Sequence, residues 1–336
     1  MKYSGQSIGV IGGGAWGTAL AQMLASNGRK TLIWARESEV VDSINNTHEN
    51  SVFLAGVPLD KSLKATTDLQ EAASSDILLL VTPAQFVRST CEEIKSKLEE
   101  GKPLVICAKG IELDTGLLLS QVVEQVVPTA VIAVMTGPTF ASEIARGLPG
   151  SATIASSDKD VAQELQDVIG VPRFRPYTTT DIIGTQLGGA IKNVIAIACG
   201  VVHGRNLGES ARAALVTRGV AEIARLGVAM GANRETLLGM CGIGDLMLTC
   251  SSMQSRNFSL GAALGQGKSL QEILGSRKEV TEGVHTVRST LSLAKKHAVD
   301  MPISESVAHL LDDGYSVDDA IEEMLNRPFR YEISGK

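Results

Sequence analysis

The sequence is poor in cysteine, histidine and aromatic residues. Its 336 residues include five cysteines and five histidines, and aromatic side chains make up only 4%. The cysteines form no CxxC pair and the histidines are dispersed, so the chain has neither the ligand spacing of a zinc site nor an obvious Ser-His-Asp set. An odd, scattered set of thiols is expected to be reduced and buried. We therefore expect no metal chemistry.

Excess positive charge and long apolar runs are also missing. Lys and Arg number 31 against 37 Asp and Glu, a formal net charge of -6, which disfavours nucleic acid or an anionic membrane as the main partner. No window holds ~18 uninterrupted apolar residues, and the N-terminal MKYSGQSIGV lacks the architecture of a signal peptide. With 44% hydrophobic residues, the chain is expected to be a cytoplasmic globular protein of roughly two domains.

The first half of the chain alternates short apolar runs with amphipathic helical stretches such as 84–100 and 116–127. The strand-like runs are 7–12, 31–35, 76–81, 103–108 and 130–135. Strands that are buried on both faces and separated by helices predict a parallel, doubly wound sheet. A last βαβ unit is predicted over 151–156, 160–169 and 173–179.

From about Asp181 onward, helical periodicity dominates. The predicted helices are 181–202, 209–230, 234–240, 256–275, 281–297, 303–313 and 317–326. We therefore predict an α/β fold in which an N-terminal Rossmann-like doubly wound parallel sheet, residues 1–180, is followed by an all-helical domain, residues 181–336. The helix that contains Lys192 opens the second domain, and interfaces between domains are where ligand clefts are commonly found.

The first strand ends in a glycine-rich turn, Gly12-x-Gly14-x-x-Gly17, which lies directly before a helix. In such a turn the three glycines serve a tight bend, close approach of the backbone to a pyrophosphate, and close packing of helix on strand. The N-terminus of the helix supplies amides and a positive dipole for phosphate oxygens. This context predicts dinucleotide binding, which the GxGxxG pattern alone would not.

Arg36 stands at the end of the second strand, where NAD-specific folds usually present an acid to the ribose hydroxyls. An arginine there can bind a 2′-phosphate in bidentate fashion and stack on adenine. Glu37 is adjacent, so strict NADP specificity does not follow. We expect NAD or NADP as the cofactor; the alternative for Arg36 is a solvated surface side chain.

Lys192 and Asn193 interrupt an otherwise apolar or small-residue segment, GGAIKNVIAIACG, over 188–200. Burying an ammonium without a partner is costly. On a helix Lys192 shares its face with Gly188, Gly189 and Ala196, and we expect the two glycines to leave room for a substrate and a nicotinamide. The alternative is a lysine that extends from a half-buried helix to solvent.

Three further segments carry a family resemblance: AKGIE (108–112), TGPTFASEIARGLP (136–149) and GIGDLMLTCSSMQSRN (242–257). Together with the glycine turn and QLGGAIKNV, they resemble the bacterial NAD(P)-dependent glycerol-3-phosphate dehydrogenase family in order and spacing over nearly the whole chain. The resemblance implies a Rossmann domain followed by a helical domain, and the interconversion of dihydroxyacetone phosphate and sn-glycerol 3-phosphate. It also suggests a homodimer that supplies phospholipid backbone.

The resemblance also assigns residues. Lys192 matches the lysine that the family uses for proton transfer. The matches to the substrate site are Lys109, Gly137, Thr139, Asp245, Ser255, Arg256 and Asn257. The matches to cofactor contacts are Ala15, Trp16, Arg36, Lys109, Ala141, Arg256, Val280 and Glu282. Some relatives have serine and tyrosine where this chain has Ala15 and Trp16, so any contact of Ala15 with phosphate is expected to be through its backbone.

Physical chemistry supports these roles, with alternatives. Arg256, Asn257 and Lys109 supply donors and positive charge for a substrate phosphate, but Ser255 is equally suited to cap a helix. Asp245 can partner Lys192 or serve as an ordinary cap or turn residue. In the first role it raises the pKa of Lys192, whereas burial lowers it.

The sequence is compatible with two other functions. A reductase of the β-hydroxyacid or 6-phosphogluconate dehydrogenase type shares the domain order, but its glycine-serine substrate motifs do not resemble those found here. A non-catalytic dinucleotide-binding sensor would keep the glycine turn but would not need Lys192, Lys109 and Asp245 together.

Overall fold

A computed structural model describes residues 5–276, 280–312 and 315–329, and within these ranges an eight-stranded sheet precedes a group of helices. The strands are β1 (Ile8–Ile11), β2 (Thr31–Trp34), β3 (Lys64–Thr66), β4 (Ile77–Leu80), β5 (Pro103–Ile106), β6 (Val131–Thr136), β7 (Gly150–Ser156) and β8 (Phe174–Thr179). Their spatial order is β3-β2-β1-β4-β5-β6-β7-β8. The order reverses between β1 and β4, and ligands of such sheets bind at the carboxyl ends of the strands at this reversal.

Helices cover both faces of the sheet. They are α1 (Ala15–Ala25), α2 (Ser38–Asp42), α3 (Leu69–Ala73), α4 (Val87–Ile94), α5 (Leu119–Val126), α6 (Ala141–Ala145) and α7 (Lys159–Ile169). Side chains alternate along each strand: Ile77 and Leu79 pack with α1 and α7, whereas Leu78 and Leu80 pack with α3, α4 and α5. Burial of both faces explains the unbroken apolar runs of the central strands.

The chain after β8 is helical in its described part. The helices are α8 (Ile182–Gly204), α9 (Glu209–Ala229), α10 (Arg234–Leu237), α11 (Asp245–Thr249), α12 (Arg256–Gly265), α13 (Leu270–Gly275), α14 (Glu282–Lys296), α15 (Pro302–Leu311) and α16 (Val317–Leu325). A π-helical segment, Met240–Gly244, leads into α11. The division at residues 180 and 181 stays a prediction; β8 ends at Thr179, and Asp181 caps α8 by accepting from the Gly184 amide at 2.8 Å.

The central helix of this group is α8. Among the described residues it alone is long and apolar enough to cross a membrane, and 83% of its most apolar window is buried inside the protein. Neighbouring helices surround it, so its hydropathy has the same origin as that of any core helix.

The predicted fold class is confirmed, with corrections to its details. The sheet is not wholly parallel, because β7 pairs antiparallel with β6 while β8 runs parallel to β7. The short strand β3 was not predicted. The predicted helix 84–100 is shortened to α4 between two 3₁₀ turns, Ala84–Phe86 and Lys95–Lys97.

The predicted helix 256–275 is two helices. Gly267 has φ +89°, which breaks α12 from α13. Ser269 and Glu272 then form a capping box that starts α13. The predicted helix 303–313 ends at Asp313, which lies outside the described residues.

Candidate active site

The glycine-rich turn after β1 has the geometry of a phosphate-binding loop. Gly12 has φ +134°, a conformation that side chains disfavour. A Cβ on Gly17 would lie 1.8 Å from the Gly12 carbonyl oxygen, so only glycine allows α1 to pack this closely. A Cβ on Gly14, by contrast, would have no heavy atom within 4 Å. Gly12 and Gly17 therefore shape the turn, and open space lies beside Gly14, the second glycine of the motif.

The N-terminus of α1 is free to bind an anion. Gly14 precedes the helix and offers no side chain to cap it, so the first amides keep their donors for a ligand. A buried network holds the turn from beneath: the Asn50 side-chain amide donates to the Gly13 oxygen at 2.9 Å and to the Thr18 hydroxyl at 2.8 Å. These features fit the pyrophosphate of a dinucleotide.

Arg36 lies at the edge of this turn. Ala35, which precedes it, packs so closely on Gly13 that a Cβ there would lie 2.4 Å from the Ala35 Cβ. The Arg36 side chain is 76% exposed, and its Nη2 lies 3.0 Å from Glu37 Oε1. The structure thus brings Arg36 beside the glycine turn and pairs it with the neighbouring acid.

Lys192 and Lys109 converge on one carboxylate. Lys192 Nζ lies 2.5 Å from Asp245 Oδ1 and donates to the Thr249 hydroxyl at 2.9 Å. Lys109 Nζ lies 2.9 Å from Asp245 Oδ2. The Asp245 side chain is fully buried, and those of Lys192 and Lys109 are 7% and 17% exposed. Lys192 is therefore buried and paired with Asp245, so the alternative of a lysine that extends from its helix to solvent is wrong.

The pKa of Lys192 is set by opposing effects. Burial lowers it, the Asp245 carboxylate raises it, and the charge of Lys109 lowers it again, so that the pKa falls from 10.5 to about 7. Desolvation is the largest of these effects, and repulsion from Lys109 offsets part of the attraction to Asp245. A lysine with this pKa can give or take a proton near neutral pH.

Gly188 and Gly189 do not leave room for a ligand, contrary to our expectation. A Cβ on Gly188 would lie 2.4 Å from the Cys241 oxygen, and one on Gly189 would lie 2.6 Å from Thr136 Cγ2. Protein already fills both places: the π-helical segment packs on the first glycine and β6 on the second. The small residues next to Lys192 serve close packing of backbones, and any substrate must approach the lysine from another side.

The segment after β6 lies against the lysine cluster. Lys109 Nζ is 3.4 Å from the Gly137 oxygen, and the Thr139 hydroxyl donates to the same oxygen at 3.3 Å. Ala141 begins α6, a helix that packs on α1 behind the glycine turn. Gly137 and Thr139 therefore lie with the substrate-site candidates, and Ala141 lies near the cofactor side.

Ser255, Arg256 and Asn257 divide into three different environments. The Ser255 hydroxyl accepts from the Phe258 amide at 3.2 Å, so it caps α12 as its alternative interpretation expected. Arg256 is exposed, and its Nη1 donates to the Val280 oxygen at 3.0 Å. Asn257 is buried: its amide donates to Asn193 Oδ1 at 3.0 Å, and its oxygen accepts from the Gly283 amide at 2.9 Å.

Glu282 connects the helical part to the sheet edge. One oxygen, Oε1, accepts from the Ala84 amide just beyond β4 at 3.4 Å. The other, Oε2, is buried and has no hydrogen-bond partner among the described residues. Burial raises the pKa of this carboxyl group. Together with the hydrogen bond from Arg256 to the Val280 oxygen, this contact places the start of α14 between the segment after β4 and the start of α12.

Two residues at this site were missed. Thr249 bonds Lys192, and Asn193 bonds Asn257. A signal for Thr249 existed, because it lies four residues after Asp245 and so shares a helical face with it. Asn193 is the second polar residue of its apolar segment, but that pattern assigns it no role.

A mostly parallel sheet with a glycine-rich turn at a helix N-terminus, joined to a helical part that buries a lysine, is the arrangement of a dinucleotide-dependent oxidoreductase. Family models narrow the class. Residues 7–162 match the NAD-dependent glycerol-3-phosphate dehydrogenase N-terminus, and residues 181–322 match the C-terminus of the same family.

Individual relatives agree with the models. The chain is 54% identical over 332 residues to glycerol-3-phosphate dehydrogenase [NAD(P)+] of Parvibaculum lavamentivorans, covering 99% of this chain and 100% of the relative. It is 52% identical to the same-named enzyme of Rhodospirillum rubrum, over 97% and 93% of the two chains.

A solved structure, the glycerol-3-phosphate dehydrogenase of Coxiella burnetii, superposes with TM-score 0.91 at 35% identity, covering 96% of this chain and 99% of that one. The chain therefore belongs to the NAD-dependent glycerol-3-phosphate dehydrogenase family. The predicted family, enzyme class and nicotinamide cofactor are confirmed, and the two rival functions lose their support.

Proposed function

We propose that this chain reduces dihydroxyacetone phosphate to sn-glycerol 3-phosphate, reversibly, and that Lys192 exchanges the proton at the substrate oxygen. The observation that carries this proposal is the contact of Lys192 and Lys109 with one buried carboxylate, that of Asp245. It provides an acid of suitable pKa, a residue that orients it, and a second positive charge in one place.

Each member of the cluster has a distinct task in this mechanism. When bound, a nicotinamide cofactor supplies the hydride for the carbonyl carbon. Lys192 donates a proton to the carbonyl oxygen, and its pKa of about 7 suits transfer in both directions. Asp245 and Thr249 hold the amine in place. Lys109 favours negative charge on the oxygen as it develops.

The phosphate of the substrate needs its own donors, and Arg256 with Asn257 is the proposed site. The exposed guanidinium of Arg256 can form paired hydrogen bonds to a phosphate. Asn257 is held by Asn193 on the helix that carries Lys192, so a phosphate at this position is kept in register with the reacting carbon. Ser255, Gly137 and Thr139 complete the proposed substrate site.

The proposed cofactor site follows the carboxyl edge of the sheet. The amides of Gly14, Ala15 and Trp16 would hold the pyrophosphate of a bound dinucleotide. Trp16 would also offer a flat surface, and Arg36 would meet the adenosine end. Lys109, Ala141, Arg256, Val280 and Glu282 are the other proposed contacts. We also infer a cytoplasmic homodimer that supplies glycerophospholipid backbone, on the strength of the family alone.

Steady-state kinetics with purified protein tests the proposal. Oxidation of NADH and NADPH is followed with dihydroxyacetone phosphate and with unphosphorylated dihydroxyacetone. We expect kcat/KM to be at least about 10³-fold higher with the phosphate. Arg256→Ala should remove most of that preference. Arg288→Ala, which changes another exposed arginine in α14, should not. Equal use of both substrates by the wild type would reject the phosphate site.

A further inference from the structure

The end of β2 carries two adjacent side chains of opposite charge that bind each other. Arg36 Nε and Nη2 donate to Glu37 Oε1 at 3.2 and 3.0 Å. Glu37 is also the residue before α2, where its backbone oxygen accepts from the Val40 amide at 3.1 Å. The backbone of Glu37 is thereby fixed, and its side chain is two-thirds buried while that of Arg36 is largely exposed.

The pairing leaves one edge of each group available. Both hydrogen bonds end on Oε1, so Oε2 of Glu37 takes no part in the pair. Arg36 uses its Nε and Nη2 side, so the Nη1 end of the guanidinium can still meet a second anion. An acceptor and a donor edge therefore lie together beside the glycine turn, where the adenosine ribose of a dinucleotide is expected.

A second acid follows Glu37 along the chain, and a neighbouring segment packs beside β2. Glu39 lies exposed in the first turn of α2. The Trp34 indole donates to the Thr67 oxygen at 3.1 Å, which brings the segment before Asp68 to the same edge. The one carboxylate in contact with Arg36 among the described residues is that of Glu37, and a 2′-phosphate, with roughly two negative charges, meets repulsion from it.

We propose that Glu37 determines cofactor specificity: Oε2 accepts a hydrogen bond from the ribose hydroxyl of NADH, and its charge opposes the 2′-phosphate of NADPH. Arg36 favours NADPH and Glu37 favours NADH, so the chain binds both with affinities within about tenfold of each other. This proposal rests on the cofactor role proposed above for Arg36.

Calorimetric titration of NADH and NADPH into Glu37→Gln protein tests it without reference to turnover. The affinity for NADPH should rise about fivefold, because one nearby negative charge is removed. The affinity for NADH should fall about threefold, because a neutral amide is the weaker acceptor. Glu39→Gln removes the same charge two residues away and should shift the ratio of the two affinities by less than twofold. If both variants shift that ratio equally, Glu37 has no specific role.

Arg36→Ala separates failure of this proposal from failure of the cofactor site. It should weaken NADPH at least threefold and NADH by less than twofold. If Arg36→Ala changes neither affinity while both cofactors still bind, the ribose does not lie at this edge, and the assignments of Arg36 and Glu37 both fall. If Arg36→Ala acts as expected and Glu37→Gln does not, only the role of Glu37 is rejected.

Discussion

Lys192–Asp245, within the helical part, and Arg36–Glu37, at the end of β2, are both ion pairs, but their surroundings are opposite. The first pair has side chains 7% and 0% exposed, and the second 76% and 33%. An exposed pair contributes about 0–1 kcal/mol and is screened by salt, whereas loss of one partner from a buried pair costs about 3–5 kcal/mol. Burial therefore lets the Lys192–Asp245 pair set the pKa of Lys192 and support chemistry. The Arg36–Glu37 pair is exposed, so a ligand can replace one of its partners.

The largest effect is expected at the buried pair. Lys192→Met keeps the apolar stem and removes the proton, so turnover should fall roughly 10²–10⁴-fold, the range for a lost general acid. Lys109 still neutralises Asp245, so the protein should fold and bind cofactor normally. Lys102→Met provides the control, because Lys102 is also partly buried, bonding the Ala73 oxygen at 2.8 Å, yet lies elsewhere in the sheet domain. Near-normal turnover in folded Lys192→Met protein would return Lys192 to a structural role.

Asp245→Asn should affect both activity and stability. The change leaves two lysines without their shared carboxylate, so turnover should fall roughly 10–10³-fold, and unfolding free energy should fall by about 3 kcal/mol. Combination with Lys192→Met should be much less than additive in turnover, since both changes disable one step. Chemical denaturation and kinetics on the same preparations measure both quantities.

Glu222 provides a matched control for this substitution. It is another buried carboxylate of the helical part, and it accepts from the Ile303 amide at 2.6 Å at the start of α15. Glu222→Gln should lower thermal stability while leaving kcat within about twofold. Equal losses of turnover in Glu222→Gln and Asp245→Asn would mean that general destabilisation, not the lysine cluster, explains the result.

The pH profile should reflect the lowered pKa of Lys192. Below about pH 7 Lys192 is protonated and can donate, so kcat/KM for ketone reduction should be level there and fall about tenfold per unit above it. Oxidation of the alcohol needs neutral Lys192 and should show the opposite trend. Lys109→Met removes a charge that lowers this pKa, so the inflection should move to higher pH. An unchanged inflection in that variant would show that Lys109 does not influence Lys192.

The stability of the folded protein should also depend on pH, because Lys192 has a lower pKa in the folded state than in the unfolded state. The unfolded chain has a lysine pKa near 10.5 and the folded chain one of about 7, so the unfolded state binds more protons between these values. Burial of Lys192 therefore costs stability below pH 7, and the cost disappears as pH rises toward 10.5. The melting temperature of Lys192→Met relative to wild type should be highest at low pH and should decline above pH 7.

Sequence alone could predict the fold class and part of this centre for physical reasons. Burial of a lysine in an apolar helix is costly, so such a lysine is a candidate functional residue. Glycines at this fixed spacing between a strand and a helix have few uses other than dinucleotide binding. The direction of β7 could not be predicted, because the connection 137–149 contains a helix and has the length of a parallel crossover. Its actual antiparallel pairing is a property of tertiary packing.

The interpretation of Gly188 and Gly189 failed for a related reason. Small residues permit close approach, but their pattern does not say whether a ligand or a backbone approaches. The convergence of Lys109 and Lys192 on Asp245 likewise joins residues up to 136 positions apart, and no local pattern contains that information. Family resemblance supplied the set of residues, and only the folded geometry supplied their partners.

The smallest expected effect concerns salt, and it distinguishes the two pairs directly. Arg36→Ala should weaken NADPH binding about fivefold at low ionic strength, and this difference should nearly vanish at 1 M salt, where the screening length is about 3 Å. The inflection set by Lys192 should stay within about 0.3 pH units over the same range, because Asp245 is fully buried and its field passes through protein. Titrations of wild type and Arg36→Ala at four salt concentrations, with pH profiles at the extremes, measure both responses. If the Lys192 inflection moves with salt as strongly as NADPH affinity does, water and ions reach the lysine cluster, and burial cannot be the cause of its lowered pKa.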